Sequence, residues 1–189
     1  MAKKRDLSTD AERPRQLSAG ILLYRGTIDS LRVLLAYPGG PYFVNSDGSS
    51  KKDAGAWTIP KGLVEPNEEP EHTARREFTE EVGWQPTGNL EPLGEIRLRS
   101  GKRVIAFAVE CHAAEEELLG KFTPGKFTME WPPHSGKLSE FPEVDRIEFF
   151  SLAAARGKIN ERQAPLLDRL VELRRTQAAQ SLEQNSSAN

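Results

Sequence analysis

One stretch of the sequence constrains the fold more than any other: residues 62–84, GLVEPNEEPEHTARREFTEEVGW. It predicts a helix over residues 70–82. Proline suits a first helical position, and Gly83 can adopt the left-handed conformation that closes a helix. The apolar positions of this helix recur every four residues and can face a core: Ala74, Phe78 and Val82.

The same helix carries three carboxylates on a neighbouring face. Glu77, Glu80 and Glu81, here called the acidic cluster, stand at i, i+3 and i+4, so they repel one another. They also lie near the negative end of the helix dipole, at a cost of about 0.3–1 kcal/mol each. A solvated helix end is one interpretation. The other is a site for Mg²⁺ or Mn²⁺, which would neutralise the cluster with hard oxygen ligands.

Composition narrows the class of protein. A chain of 189 residues with 37% hydrophobic residues is long enough for one core and short for two. The net charge of −2 predicts no broad nucleic-acid surface. Cys111 is the only cysteine, and the three histidines are scattered, so neither a disulfide nor a zinc site is expected. Without an apolar span or signal peptide, the sequence predicts a cytoplasmic protein without membrane contact, as a monomer or homodimer.

Both ends of the chain are poor in large apolar residues. We expect a flexible N-terminal tail over residues 1–16, one domain over 17–175 and a flexible C-terminal tail over 176–189. Within the domain, short apolar or alternating runs predict strands, and a leucine-rich run predicts a last amphipathic helix over 161–175. The predicted strands are 18–24, 31–37, 56–59, 89–99, 103–111, 127–131 and 146–150. This mixture predicts an α/β fold.

Several residues outside the helix could bind a ligand. Lys61 comes just before the acidic helix, where a phosphate contact is favoured over a purely solvated lysine. Tyr42 and Trp131 could each stack on a nucleobase, although packing against the core is the commoner role for such side chains. Arg97 and Arg99 share one face of a predicted strand, where they could contact phosphate or only solvent.

The segment resembles the Nudix box, whose pattern is glycine, five residues, glutamate, seven residues, Arg-Glu, an apolar residue, any residue, Glu-Glu, any residue, glycine and an apolar residue. Every defined position is filled, by Gly62, Glu68, Arg76, Glu77, Phe78, Glu80, Glu81, Gly83 and Trp84. Trp84 replaces a commoner aliphatic residue, and Asn67 stands where glycine is frequent. Residues 57–62, WTIPKG, also resemble the segment before the box in dinucleoside polyphosphate hydrolases.

The resemblance implies the Nudix fold, an α/β/α sandwich with a mixed β-sheet, and metal-dependent hydrolysis of a nucleoside diphosphate linked to another moiety. It implies that the acidic cluster binds Mg²⁺ or Mn²⁺, with backbone help near Lys61 and Gly62, and that Glu68 and Arg76 pair to brace the loop. The implied substrate is a dinucleoside polyphosphate or a nucleoside triphosphate. A general base is expected within the cluster. Further candidates for the base or an extra ligand lie outside it: Glu130, Glu143 and Asp145.

Two alternatives use the same fold. A noncatalytic module would bind a nucleotide without hydrolysing it, but such a module has no need of three carboxylates. An isoprenoid diphosphate isomerase is expected to use a cysteine acid/base group. Because Cys111 lies in a predicted apolar strand, the sequence favours a hydrolase over an isomerase.

Overall fold

The structure is a computed structural model that describes residues 16–45 and 47–187. A mixed β-sheet forms its centre, with helices on both faces. The elements of the described residues are, in chain order, β1 (Leu17–Arg25), a short 3-10 turn (Ile28–Ser30), β2 (Arg32–Pro38), β3 (Lys61–Leu63), α1 (Pro70–Val82), β4 (Glu91–Arg97), β5 (Arg103–Glu110), α2 (Glu115–Gly120), β6 (Lys126–Glu130), β7 (Leu138–Pro142), β8 (Val144–Ser151), α3 (Leu152–Lys158) and α4 (Pro165–Ser187).

The sheet has the strand order β4-β5-β1-β2-β8, and β3 pairs with β1 off this path. Strands β1 and β5 run parallel, while the other neighbours in the sheet are antiparallel. The seven residues of β1 between its two ends are buried, which explains the nearly continuous apolar run that predicted a central strand.

Alternate residues of β1 face opposite layers of the molecule, because strand side chains alternate with a period of two. Ile21 and Leu23 pack in the same cluster as the apolar stripe of α1. Leu22 and Tyr24 belong to the other cluster, with three buried leucines of α4: Leu166, Leu167 and Leu170. The α/β/α sandwich with a mixed sheet is therefore confirmed.

Strands β1 and β2 separate from each other at one end, and this division between them positions the site. The two strands pair directly only at one end, where Tyr24 is opposite Val33. Residues 57–63, here called the inserted segment, fill the gap at the other end. The N–H of Ala36 in β2 donates to the carbonyl of Thr58 (2.8 Å), and the N–H of Ile21 in β1 donates to that of Pro60 (3.1 Å).

Two strands differ from the prediction. Lys61–Leu63 forms β3, whereas the sequence predicts a strand at 56–59, where only isolated bridges occur at Trp57 and Thr58. Strand β7 was not predicted, and it pairs with β6 in a separate two-stranded sheet. Both strands are too short or too polar to give a periodic signal, and they form through pairing with a distant partner.

The C-terminal helix also differs from the prediction. Helix α4 begins at Pro165 rather than at 161, since the preceding residues form a turn, and it continues to Ser187 instead of ending at 175. Alanine, glutamine, leucine and glutamate in this stretch favour helix even without an apolar stripe. Flexibility of this end stays a prediction, and residues 1–15 of the expected N-terminal tail lie outside the described residues. No helix within the described ranges is long and apolar enough to cross a membrane.

Candidate active site

Helix α1 occupies the predicted residues and has the predicted ends. Pro70 is its first residue, and Gly83 closes it with a φ of 95° while its N–H donates to the carbonyl of Thr79 (2.8 Å). Two more carbonyls near the C-terminal end accept hydrogen bonds from one loop. Gly125 N–H donates to Glu80 (2.8 Å), and Thr123 N–H donates to Val82 (3.0 Å). The end that carries the acidic cluster is thus fixed against this loop.

The two less usual residues of the motif also have a structural role. Asn67 has a φ of 65°, a left-handed conformation that asparagine tolerates better than most residues, which explains why glycine is an alternative there. Trp84 packs edge to face on Phe78, with ring centroids 5.0 Å apart. It therefore extends the apolar contact of the helix beyond Val82.

Gly62 is required by the position of Glu77. A Cβ atom at Gly62 would lie only 1.7 Å from a carboxylate oxygen of Glu77. The carboxylate thus lies directly against the backbone of β3, and no side chain longer than hydrogen can share that space. This contact joins the first glycine of the motif to its central glutamate.

Glu68 and Arg76 form the predicted pair. The guanidinium donates two hydrogen bonds of 2.9 Å to the two carboxylate oxygens, and it also donates to the carbonyl of Leu63 (3.1 Å). The guanidinium holds the pKa of Glu68 well below its usual range. This bidentate contact fixes the loop between β3 and α1.

Arg76 also bridges two members of the acidic cluster. Its guanidinium donates to Glu77 (2.8 Å) and to Glu80 (3.2 Å), and the side chain of Glu80 remains 52% exposed. In this arrangement no three acidic, histidine or cysteine side chains of the described residues converge on one metal position.

The donor set nevertheless fits a hard divalent cation. The guanidinium already places positive charge between two of the carboxylates, and all side-chain donors are carboxylate oxygens on one rigid helix. The pKa of Glu77 is raised, mainly because the carboxylate is buried. The charges of Glu80 and Glu143 raise it further, whereas Arg76 lowers it without cancelling the rise. A bound cation would remove this repulsion.

Glu81 connects the helix to the inserted segment. The backbone N–H of Lys61 donates to its carboxylate (3.0 Å). Burial raises the pKa of Glu81 to about 7, against the opposing effects of the Lys61 charge and N–H. The backbone of Lys61 and the carboxylates of Glu77 and Glu81 therefore lie together.

Among the predicted candidates outside the helix, Glu143 comes closest to the acidic cluster. Its N–H donates to the carbonyl of Gly125 (2.9 Å), in the loop that fixes the end of α1. Its charge also raises the pKa of both Glu77 and Glu81. The carboxylate of Glu130 instead accepts the N–H of Gly136 (2.6 Å) at the turn between β6 and β7.

Asp145 is also committed to another contact, since it pairs with Arg146 at 2.6 Å. Of the two arginines left open by the sequence, Arg99 pairs with Glu161 at 2.7 Å on the surface, which favours the solvated interpretation.

Lys61 and Tyr42 line one cavity of about 440 Å³, which we call the lysine cavity. Its lining residues are Pro38, Tyr42, Phe43, Lys51, Lys52, Gly55, Ala56, Thr58, Lys61, Leu98, Asn160 and Gln163. Trp131 lines an adjacent cavity of about 610 Å³ with Asn45, Ser139 and Asp145. The two cavities are neighbours, because the ring of Tyr42 from one lining contacts the ring of Trp131 from the other, edge to face with centroids 5.3 Å apart.

Two features of this region were not predicted from the sequence. Lys102, between β4 and β5, is half-buried and close enough to Lys61, Glu77 and Glu81 for their charges to shift its pKa. Gln163 is buried and braces the inserted segment, accepting from Ile59 N–H (2.9 Å) and donating to Thr58 Oγ1 (2.7 Å). No local pattern marks either residue, because their neighbours are far away in the sequence.

Cys111 lies at the opposite end of β1. Its N–H donates to the carbonyl of Tyr24 (2.7 Å), and it lines a third cavity with Trp84 and His112. Lys61, by contrast, pairs with Gly20, which lies toward the N-terminal end of β1. A cysteine in this position cannot serve as an acid or base beside the acidic cluster.

Comparison with known proteins identifies the family and the fold. The family model described as NUDIX domain matches residues 14–170. Similar solved structures include a C. elegans Ap4A hydrolase binary complex, with 18% identity and a TM-score of 0.54 over 82% of this chain and 96% of that one. A mutT/nudix family protein from Listeria innocua has 18% identity and a TM-score of 0.51, over 93% and 99% of the two chains.

A third similar structure is the NUDIX domain of Shewanella oneidensis NrtR complexed with ADP ribose, with 14% identity and a TM-score of 0.54 over 88% of this chain and 93% of that one. At these identities the similarity concerns the fold. No curated protein matches the sequence.

Proposed function

The chain belongs to the Nudix family and is a Nudix pyrophosphohydrolase, and we propose that its substrate is a dinucleoside polyphosphate or a nucleoside triphosphate, cleaved with Mg²⁺ or Mn²⁺. One observation supports this proposal above the others: the acidic cluster of α1 and Lys61 meet at β3. Groups that bind a cation and a group that binds phosphate thus lie side by side, as a metal-bound pyrophosphate requires. We place this activity in the cytoplasm, where Cys111 would remain a free thiol.

Residues of the chain have separate roles in the proposed reaction. Glu77, Glu80 and Glu81 hold the divalent metal, with backbone groups of Lys61 and Gly62 beside them. When bound, the metal neutralises charge on the phosphate oxygens and so lowers the barrier to attack by water. The ammonium of Lys61 binds a phosphate of the substrate. A carboxylate takes the proton of the attacking water, and Glu143 is the best placed outside the cluster.

Aromatic side chains hold the nucleoside in this proposal. Tyr42 is 61% exposed and lies at the contact between the lysine cavity and the cavity of Trp131. Exposed aromatic rings that face a cavity can stack on a base without reading its identity. The segment WTIPKG before the box, which resembles dinucleoside polyphosphate hydrolases, supports the same substrate class.

The variant Glu80→Gln tests the function. It removes one negative charge from an exposed position, so the fold should persist while Mg²⁺-dependent turnover falls by at least about 100-fold. Release of phosphate or nucleoside monophosphate from a panel of nucleotides is the measurement. Glu71→Gln, on the exposed first turn of the same helix, is the matched control and should retain activity. Undiminished hydrolysis by Glu80→Gln would contradict the proposed site.

A further inference from the structure

One loop forms part of both the lysine cavity and the cavity of Trp131. It joins β2 to the inserted segment, and we call its residues 39–56, which are described except for residue 46, the cavity loop. Tyr42 lines the lysine cavity, Asn45 lines the cavity of Trp131, and Lys51 lines both. The position of this loop therefore sets the shape of both cavities.

Burial in the core does not fix most of the cavity loop. From Tyr42 to Ala56, every described residue is exposed or half-buried. The loop folds back on itself, since Val44 and Ser50 form an antiparallel bridge and the N–H of Lys51 donates to the carbonyl of Phe43 (2.8 Å). A segment with so little buried surface depends on polar contacts with the sheet for its position.

Tyr37 of β2 supplies one such contact at the base of the loop. Its side chain is fully buried, and its hydroxyl lies within hydrogen-bond distance of the carbonyls of Phe43 (3.1 Å) and Lys52. The hydroxyl has one hydrogen and can donate it to either carbonyl. Phe43 and Lys52 belong to the two facing arms of the loop, so one phenol connects both arms to β2.

Arg146 of β8 holds the same loop from the neighbouring strand. The register places Arg146 opposite Tyr37, and its guanidinium carbon lies 4.2 Å from the ring centroid of Tyr37 and 5.2 Å from that of Trp57. Its nitrogens donate to Ser50 Oγ in the loop (2.6 Å) and to the carboxylate of Asp145 (2.6 Å). A planar guanidinium can stack on a ring and donate to two partners at once, which a lysine cannot.

The core and the acidic cluster do not need the Arg146 guanidinium. The rings of Tyr37 and Trp57 already contact each other edge to face at 5.3 Å, whereas the Arg146 side chain is 37% exposed. The acidic cluster is fixed by separate contacts, at Gly62 and through Arg76. Loss of Arg146 should therefore change the cavity loop and leave the cluster in place.

We propose that Arg146 and Tyr37 are positioning residues, which together hold the cavity loop in the conformation that receives the nucleoside. This inference rests on the proposed function, in which Tyr42 and Trp131 hold the nucleoside, and it adds residues that act through the loop. A loop that is already ordered costs the substrate less free energy on binding. Arg146 also balances the charge of Asp145, which lines the cavity of Trp131 and would otherwise repel an anionic substrate.

Steady-state kinetics with Mg²⁺ and either ATP or diadenosine tetraphosphate tests the two residues. Arg146→Met keeps a side chain of similar length over the Tyr37 ring but removes both donors, so KM should rise about tenfold while kcat stays within about twofold. Tyr37→Phe removes only the hydroxyl and keeps the pair of Arg146 and Asp145. Its KM should rise about threefold to tenfold, again with little change in kcat.

Arg174→Met is the matched control. The guanidinium of Arg174 lies 5.2 Å from the ring centroid of Tyr24 and pairs with Glu110 (3.1 Å), which is the same kind of contact at the cavity that Cys111 lines. Its KM should equal that of the wild type, and a rise as large as that of Arg146→Met would overturn the inference, because it would indicate a general effect of lost packing.

Two other kinetic results separate the inference from the proposed function. An unchanged KM in both Arg146→Met and Tyr37→Phe, or a loss confined to kcat, would overturn the inference and leave the function standing. Absence of turnover by the wild type with every nucleotide would contradict the function instead.

Limited trypsin digestion reports on the cavity loop without any turnover. Lys51 and Lys52 are cleavage sites within the loop, and their cleavage requires the loop to leave the sheet. Mass spectrometry should show initial cleavage there at least about tenfold faster in Arg146→Met than in the wild type, and at the wild-type rate in Arg174→Met. Equal rates in the wild type and Arg146→Met would overturn the inference.

Discussion

At the scale of single residues, the acidic cluster is an unfavourable arrangement without a cation. Burial and mutual repulsion raise the pKa of both Glu77 and Glu81, and the backbone N–H of Lys61 compensates only in part. Functional sites often contain groups whose charge the fold disfavours, because a ligand supplies the missing interaction. The residues that we propose as metal ligands therefore cost stability when no metal is bound.

The pH dependence of unfolding should reveal this cost at Glu81. Its pKa is about 7 in the folded, metal-free protein and 4.5 as an isolated group, so the folded state binds the proton more tightly. Stability is therefore lost as the pH rises from about 4.5 through 7, and the loss is complete above that range. We expect Glu81→Gln to raise the metal-free unfolding free energy by roughly 1–3 kcal/mol at pH 8, and by much less at pH 5.

Urea unfolding in EDTA at both pH values measures this difference. Glutamine keeps an oxygen that can accept from Lys61 N–H, so the variant changes charge more than hydrogen bonding. An equal stability difference at pH 5 and pH 8 would show that ionisation of Glu81 is not the cause.

Glu143 is the residue to test as general base. If its carboxylate accepts the proton of the attacking water, Glu143→Gln should lower kcat by about 10²–10⁴-fold with little change in KM. Glu130→Gln is the control, because Glu130 lies at the β6–β7 turn and glutamine can still accept the N–H of Gly136. A kcat for Glu143→Gln within a few-fold of the wild type would assign the proton transfer to the acidic cluster.

At the scale of elements, the site depends on how closely β3 and α1 approach. Gly62 allows the Glu77 carboxylate to lie against the strand, and Arg76 fastens the intervening loop to Glu68 and to the carbonyl of Leu63. Helix and strand thus form one unit that presents the cluster. Neither element alone could hold Glu77 in this place.

The substitution Gly62→Ala should separate the site from the fold. The new methyl group requires the space of the Glu77 carboxylate, and that flexible end can move aside without disturbing the buried stripe of α1. We expect the Mg²⁺-dependent rise in melting temperature and the turnover to be lost, while metal-free unfolding changes by less than about 1 kcal/mol. Gly120→Ala, which meets nothing within 4 Å, is the control. A retained Mg²⁺ effect in Gly62→Ala would refute this role.

Helix α4 should tolerate loss of its C-terminal end. Leu170 is fully buried, whereas the described side chains beyond Gln177 are exposed. A chain that stops after Gln177 should therefore unfold within about 1 kcal/mol of the full chain. Leu170→Ala should cost about 2–5 kcal/mol by comparison. Denaturant unfolding of the three proteins checks this, and a large loss on truncation would assign the end of the helix a part in the core.

At the scale of the whole molecule, local patterns could be predicted and long-range pairings could not. The helix over 70–82, its ends and its buried stripe follow from spacing within one turn, so the sequence predicts them correctly. The pair of Glu68 and Arg76 follows from the family resemblance. Strand β3 and the approaches of Lys102 and Glu143 to the acidic cluster depend on partners that are distant in the sequence. No periodicity within a short window can contain that information.

The division between β1 and β2 also determines how the site comes together during folding. The N–H groups of Ile21 and Ala36 have their acceptors in the inserted segment, at Pro60 and Thr58, rather than in each other's strands. A folding intermediate with β1, β2 and β5 in place but without this segment would leave these amides open to solvent. The segment that closes the sheet is therefore also the one that brings Lys61 to the acidic helix, and we expect hydrogen exchange at these two amides to be slow only when the site is assembled.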